Sequence, residues 1–174
     1  MRNNYRVVLS IILSFVLAAY LQDRLPAFSF YMIKVPFILA PFIYFMFRHN
    51  LLMGIISAVF CALLGDGLSD SCGIAYLIVC IAALFSNHYL FKKQLPENSV
   101  SCGLIAIPLT IFVLLIQYAS FAIYAENVPS IGFVLIKIIF TAVSSGVAVI
   151  VLSEVFYRFE LIVGNKEVVD EELG

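Results

Sequence analysis

Long apolar runs with almost no charge inside them constrain this chain more than any motif. VVLSIILSFVLAAYL, from Val7 to Leu21, is the first. Comparable runs cover residues 30–47, 50–66, 74–91, 100–124 and 131–157, with a short tail at 160–174. A helix crossing a bilayer needs about 20 mainly apolar residues, so the pattern predicts about six crossings and a single integral membrane domain over residues 1–174. About 120 residues are consumed by six such spans, which leaves no room for a soluble catalytic domain. The alternative membrane solution, a closed barrel, alternates apolar and polar residues, and these runs do not. The fold class expected is therefore an all-α, polytopic membrane helix bundle. Composition agrees, with 63% hydrophobic and 12% charged residues, where soluble domains carry roughly 25% charge.

Orientation follows from the basic residues of the short loops, because cytoplasmic loops are enriched in Lys and Arg. With the N-terminus inside, Arg2, Arg6, Arg48, Lys92, Lys93, Arg158 and Lys166 fall on the cytoplasmic side, while Arg24 and Lys34 fall outside. Lys137 lies within the outer part of the last span and can snorkel outward. Both termini are then expected inside. A formal net charge of −1 hides this asymmetry, and no basic patch suggests nucleic acid. The first run also resembles a secretory signal, but it is long and no clear A-x-A site follows, so an uncleaved first helix is expected. Cys61 and Cys80 lie inside spans, Cys102 near the cytoplasmic side and Cys72 in an outer turn, with no metal-like spacing.

Between the third and fourth runs the stretch LLGDGLSDSCGIAY interrupts the oil with Asp66 and Asp70. An Asp at the centre of a span costs about 2.5–3.5 kcal/mol, a cost that fades at the water boundary. Gly65, Gly67 and Gly73 permit a tight reversal there. Asp70-Ser71 could cap the fourth helix by accepting a free backbone N–H. Asp66 sits closer to the greasy run. It either fixes the helical hairpin or serves a functional site.

The same region carries a family resemblance. LQDRLPAF, the proline-led KVPFILAPF, the basic turn RHN and then MGIISAVFCALLGDGLSDSCG together resemble the rod-shape-determining MreD family of bacterial inner-membrane proteins. The matching positions are Pro36, Gly54, Leu63-Leu64, Asp66, Ser69 and Gly73, within residues 21–76. The chain departs from the family at Phe37, where an acid is common, and at Gly65, which separates the leucines from Asp66. The resemblance implies a non-enzymatic scaffold in the bacterial cytoplasmic membrane. It would bind an MreC-like single-span protein and, through it, connect with the MreB-like filament and cell-wall synthases.

Other polar residues within the runs have local explanations. Gln117 is expected to hydrogen-bond between helices, and Glu154 and Arg158 to form an ion pair at four-residue spacing. Pro41 and Pro108 are expected to kink their helices. His49 and His88 lie about a bilayer thickness from Asp66 on this topology, roughly 30 Å, so no shared metal site is expected, and no cofactor. There is no Gly-x-x-x-x-Gly-Lys loop and no nucleophile beside a base. Small residues recur at four-residue spacing at Ser10, Ser14 and Ala18, at Gly54, Ala58 and Ala62, and at Ala142 and Gly146. Such faces let helices approach closely, either within the bundle or against a partner. A small-x-x-x-small first helix is also found in the substrate-binding subunits of energy-coupling-factor vitamin transporters, which are six-helix proteins of similar size. That is the alternative reading. It would require converging polar groups at the outer face, where the chain offers chiefly Asp66, Asp70, Glu126 and Asn127.

Overall fold

A computed structural model of the protein describes residues 2–25, 34–68, 74–89, 98–124 and 130–164. These residues form six α-helices and no strand: α1 (Arg2–Arg24), α2 (Leu39–Arg48), α3 (Leu51–Gly67), α4 (Ala75–Tyr89), α5 (Ser99–Tyr124) and α6 (Ile131–Val163). Three of them, α1, α5 and α6, are long and apolar enough to cross a membrane.

The bundle is built around its shortest member. α2 has ten residues and every one from Leu39 to Phe47 is buried, as expected of a helix that is apolar on all sides. It touches α1, α3, α5 and α6. The second run predicted a helix from residue 30, whereas the described helix starts at Leu39 after a turn at 34–38; residues 26–33 lie outside the described residues. Proline explains the late start. Pro36 disfavours the helical region at Val35, and the backbone instead makes tight turns, with Phe37 N–H donating to Val35 O and Leu39 N–H to Pro36 O. At ten residues α2 is only about 15 Å long. Pro41 falls in its first turn, where no amide partner is required, so it produces none of the expected disruption.

The α2–α3 corner is closed by Asn50, whose Oδ1 accepts from Met53 N–H at 3.1 Å and so caps α3. α3 and α4 then form one closely packed hairpin, and α5 and α6 a second, more extensive one. Small residues set both spacings. A Cβ on Gly65 would meet the Tyr76 ring at 2.5 Å, and one on Gly103 would meet Ile150 at 2.4 Å and the Gly146 carbonyl oxygen at 2.7 Å. Within the second hairpin the Thr110 hydroxyl donates to Ser145 Oγ at 2.8 Å. Gln117, expected to bridge helices, has no hydrogen-bond partner among the described residues; the Thr110–Ser145 pair makes a link of that kind instead.

Apolar side chains cover the outside too. Val16 and Tyr20 on α1, Leu63 on α3, Ile81 and Phe85 on α4, Leu104 and Phe112 on α5, and Ile139 and Val151 on α6 are all exposed. A surface of this kind suits lipid rather than water.

Candidate functional site

Two polar clusters stand at opposite ends of the bundle. At one end is the acid of the Pro36–Gly73 motif. Asp66 stands in the last turn of α3, and its carboxylate accepts from the backbone N–H groups of Tyr76 (3.1 Å) and Leu77 (3.4 Å). These are the second and third residues of α4, the donors a helix leaves unsatisfied and an N-cap side chain normally takes. Asp66 thus caps α4 from ten residues upstream, across the hairpin. The negative charge also complements the positive end of the α4 dipole. Asp70, Ser71, Cys72 and Gly73 lie outside the described residues, and so does the capping role expected of Asp70-Ser71.

The other motif residues serve the same corner of the fold. Pro36 sets the turn into α2, as described above. Gly54 lies where a Cβ would come within 3.2 Å of Leu84 Cδ2 on α4 and 3.6 Å of Met46 Cα on α2, so it admits both neighbours. Near Pro36, the buried Gln22 side chain of α1 accepts from Ile38 N–H at 3.3 Å. It ties the end of α1 to the start of α2.

The opposite end holds a buried network that sequence reasoning did not assemble. Glu160 on α6 is 0% exposed. Its Oε2 accepts from the Tyr44 hydroxyl of α2 at 2.7 Å, and its Oε1 lies 2.7 Å from His49 Nε2. A carboxylate here requires His49 to carry its proton on Nε2 and donate. Tyr44 packs edge-on against Phe45 and Phe156, and the Phe45 ring stacks on His49 at 5.5 Å between centroids. Arg48 places its guanidinium 4.6 Å above the Tyr157 ring, a cation–π arrangement. The Arg6 guanidinium donates to the Gly164 carbonyl and joins the start of α1 to the end of α6. Gly164 closes α6 in the left-handed region (φ 71°), where glycine carries no Cβ penalty. Asn87 donates to Met46 O at 3.3 Å and brings the end of α4 to the same place.

His49 read as a turn residue, and Glu160 as the first residue of a tail beginning at 160. The structure instead continues α6 to Val163 and buries Glu160. A signal for this was available. Ala142, Gly146, Val149, Phe156 and Glu160 fall on one face of α6, at spacings built from threes and fours, and all are buried. Glu160 continues that inward stripe.

Ser10, Ser14 and Ala18 are 0% exposed on a helix that packs against α2, α3 and α6. Their face is packed inside the bundle, the first of the two uses expected for it. The Ser10 and Ser14 hydroxyls have no hydrogen-bond partner among the described residues. Glu154 and Arg158 form the expected exposed ion pair at 3.6 Å. No group of His, Cys, Asp and Glu among the described residues is arranged to hold a metal ion.

No protein-family model, curated protein or solved structure matches this chain.

Proposed function

We propose that this chain is a non-enzymatic scaffold of the MreD type in the bacterial cytoplasmic membrane. It crosses the bilayer about six times with both termini inside, and it holds an MreC-like single-span protein that connects it with an MreB-like filament and cell-wall synthases. The observation supporting this reading is the use made of the motif that carries the resemblance. Pro36, Gly54 and Asp66 are spent on a turn, a close helix contact and a helix cap, which is what an architectural motif would need. One further feature supports the orientation. Arg6, Arg48 and Arg158 belong to the end of the bundle that also holds Glu160 and Gly164, the end assigned to the basic cytoplasmic side. Partner recognition on this reading uses the exposed apolar faces, since the small-residue face of α1 is occupied internally.

The test is co-purification of the full-length protein under gentle extraction, with depletion in a rod-shaped host scored for cell width. Recovery of a single-span coiled-coil protein together with cell rounding on depletion is expected. Recovery of a tightly held vitamin with no such partner would replace the scaffold with the transporter subunit. A cytoplasm-dependent reporter fused after Gly174 should be active; inactivity would reverse the orientation.

A further inference from the structure

The face along which α3 and α4 pack is built from small residues and one pair of thiols. Gly65 stands opposite Tyr76, where an added Cβ would meet the ring at 2.5 Å. One turn away from that corner, four residues back on α3 and four residues on along α4, come Cys61 and Cys80. Ala58 and Ala83 follow, and then Gly54 faces Leu84. The antiparallel register therefore puts the two sulfurs at one level, and both residues are 0% exposed. Both are free thiols, and their side chains hydrogen-bond to each other. Cys61 lies six residues before Gly67, about 9 Å from the end of α3 along its axis. On the membrane reading the pair stands in the outer half of the bilayer. Exposed Val59, Leu63, Leu77 and Ile81 on the same two helices suit contact with acyl chains there.

Two chemistries use a close pair of thiols, a soft metal and a disulfide. Charge decides between them. A bis-thiolate complex of a monovalent soft metal such as Cu(I) leaves a net negative charge on the site. The Asp66 carboxylate already places a negative charge near Cys61, and a second buried anion beside it is costly. A disulfide is neutral. It needs Cα atoms about 4.4–6.8 Å apart, and small residues are what let two helix backbones come that close. Access then limits the oxidant. Thiols exchange with disulfides in water as thiolates, and cysteines buried in apolar surroundings are inert by that route. An oxidant that reaches these two must itself dissolve in lipid.

We infer that Cys61 and Cys80 are a redox-active dithiol, oxidised inside the membrane by a quinone to a disulfide that locks the α3–α4 hairpin. In that step both S–H bonds break and one S–S bond forms. The two electrons and two protons pass to the quinone, which leaves as the quinol. The link joins positions nineteen residues apart and restrains the unfolded chain. It ties the two helices together one turn inward of the Asp66 cap. The inference uses the membrane placement of α3 and α4 but not the scaffold role.

The experiment uses the reduced full-length protein in phosphatidylcholine vesicles under argon. One sample receives a short-chain ubiquinone in the bilayer, the other glutathione disulfide in the water. Each is denatured, alkylated with iodoacetamide and mapped by mass spectrometry. All four cysteines of the chain should be alkylated before oxidation. After the quinone only Cys72 and Cys102 should be, with the Cys61 and Cys80 peptides joined. Glutathione disulfide should leave all four free. The linked protein should unfold several degrees above the reduced form. Cys80→Ala should keep its remaining thiols under the quinone, while Cys72→Ser should still form the link. Four free thiols after the quinone, or a link through Cys72 or Cys102, would overturn the proposal. So would oxidation by glutathione disulfide as fast as by the quinone, or a linked protein no more stable than the reduced one. None of these results bears on whether a single-span partner co-purifies.

Discussion

Each end of the bundle fixes an acid, and the two are held by opposite means. Asp66 takes backbone donors only ten residues away within its own hairpin, at the edge of the protein. Glu160 takes side-chain donors 116 and 111 residues away, in full burial. A cap of the first kind stabilises a hairpin that its sequence already favours. A network of the second kind holds the end of α6 onto α2, elements that local sequence does not bring together. Long-range coupling is therefore concentrated at the Glu160 end.

The largest effect that separates the two ends should come from Glu160→Ala. It leaves the Tyr44 hydroxyl and the nearly buried His49 ring without their carboxylate. Breaking one side of a buried pair costs about 3–5 kcal/mol. Purified protein should unfold at markedly lower denaturant or temperature, and Glu160→Gln should recover part of the loss because an amide oxygen still accepts from Tyr44. Stability equal to the parent in Glu160→Ala would show that the network contributes nothing to holding α6.

Gly65→Ala comes next and probes the Asp66 end through packing rather than charge. The new methyl would stand 2.5 Å from the ring of Tyr76, itself buried at 3% exposure. Overpacking of this kind costs about 1–3 kcal/mol. Because Tyr76 N–H is also a donor to Asp66, a shift of α4 should weaken the cap as well. Faster amide hydrogen exchange at Tyr76 and Leu77, with exchange at the Glu160 end unchanged, is the expected pattern. Uniform acceleration at both ends would mean that the two regions unfold as one unit.

The contrast also explains what sequence could and could not reveal. The apolar runs led directly to an all-helical bundle, and Asp66 was visible because an acid closing a greasy run is conspicuous. Its capping role was assigned to Asp70-Ser71 instead, since a local cap is the ordinary case and a cap reaching across a hairpin depends on tertiary geometry. α2 was misjudged in length because hydropathy continues through 30–47 while Pro36 interrupts the helical backbone. Glu160 was hidden for a more general reason. Charge in a membrane chain normally marks the end of a span, so its inward 3–4 periodicity with Phe156 carried less weight than its charge. No local pattern encodes a pairing with Tyr44 more than a hundred residues away.

Asp66→Ala should have a smaller effect than either change above. It removes the cap acceptor but leaves the α3–α4 packing in place, for about 0.5–2 kcal/mol. Asp66→Asn should cost less, since one amide oxygen still accepts from Tyr76 N–H. On the proposed function the ordering carries to cells. Asp66→Leu, which adds bulk to the missing cap, should disturb rod shape before Asp66→Asn does. Normal cell width at normal protein level for Asp66→Leu would leave the acid without a special role.

The smallest effect belongs to α1, between the two acid-bearing ends. Ser14 is fully buried and its hydroxyl has no partner among the described residues, so it is neither capped like Asp66 nor networked like Glu160. A buried polar group that makes no hydrogen bond opposes folding, and replacing it with an apolar group of similar shape is close to neutral or stabilising. Alanine keeps the small volume that lets α1 approach its neighbours. Ser14→Ala should therefore unfold at the same denaturant concentration as the parent or slightly above it, while Ser14→Leu, which fills a contact of 0% exposure, should be destabilised by about 1–3 kcal/mol. Measured together, the two variants separate volume from hydrogen bonding at one position. Clear destabilisation of Ser14→Ala would mean that the hydroxyl has a bonding role after all, and it would place α1 in the same class as the Glu160 end.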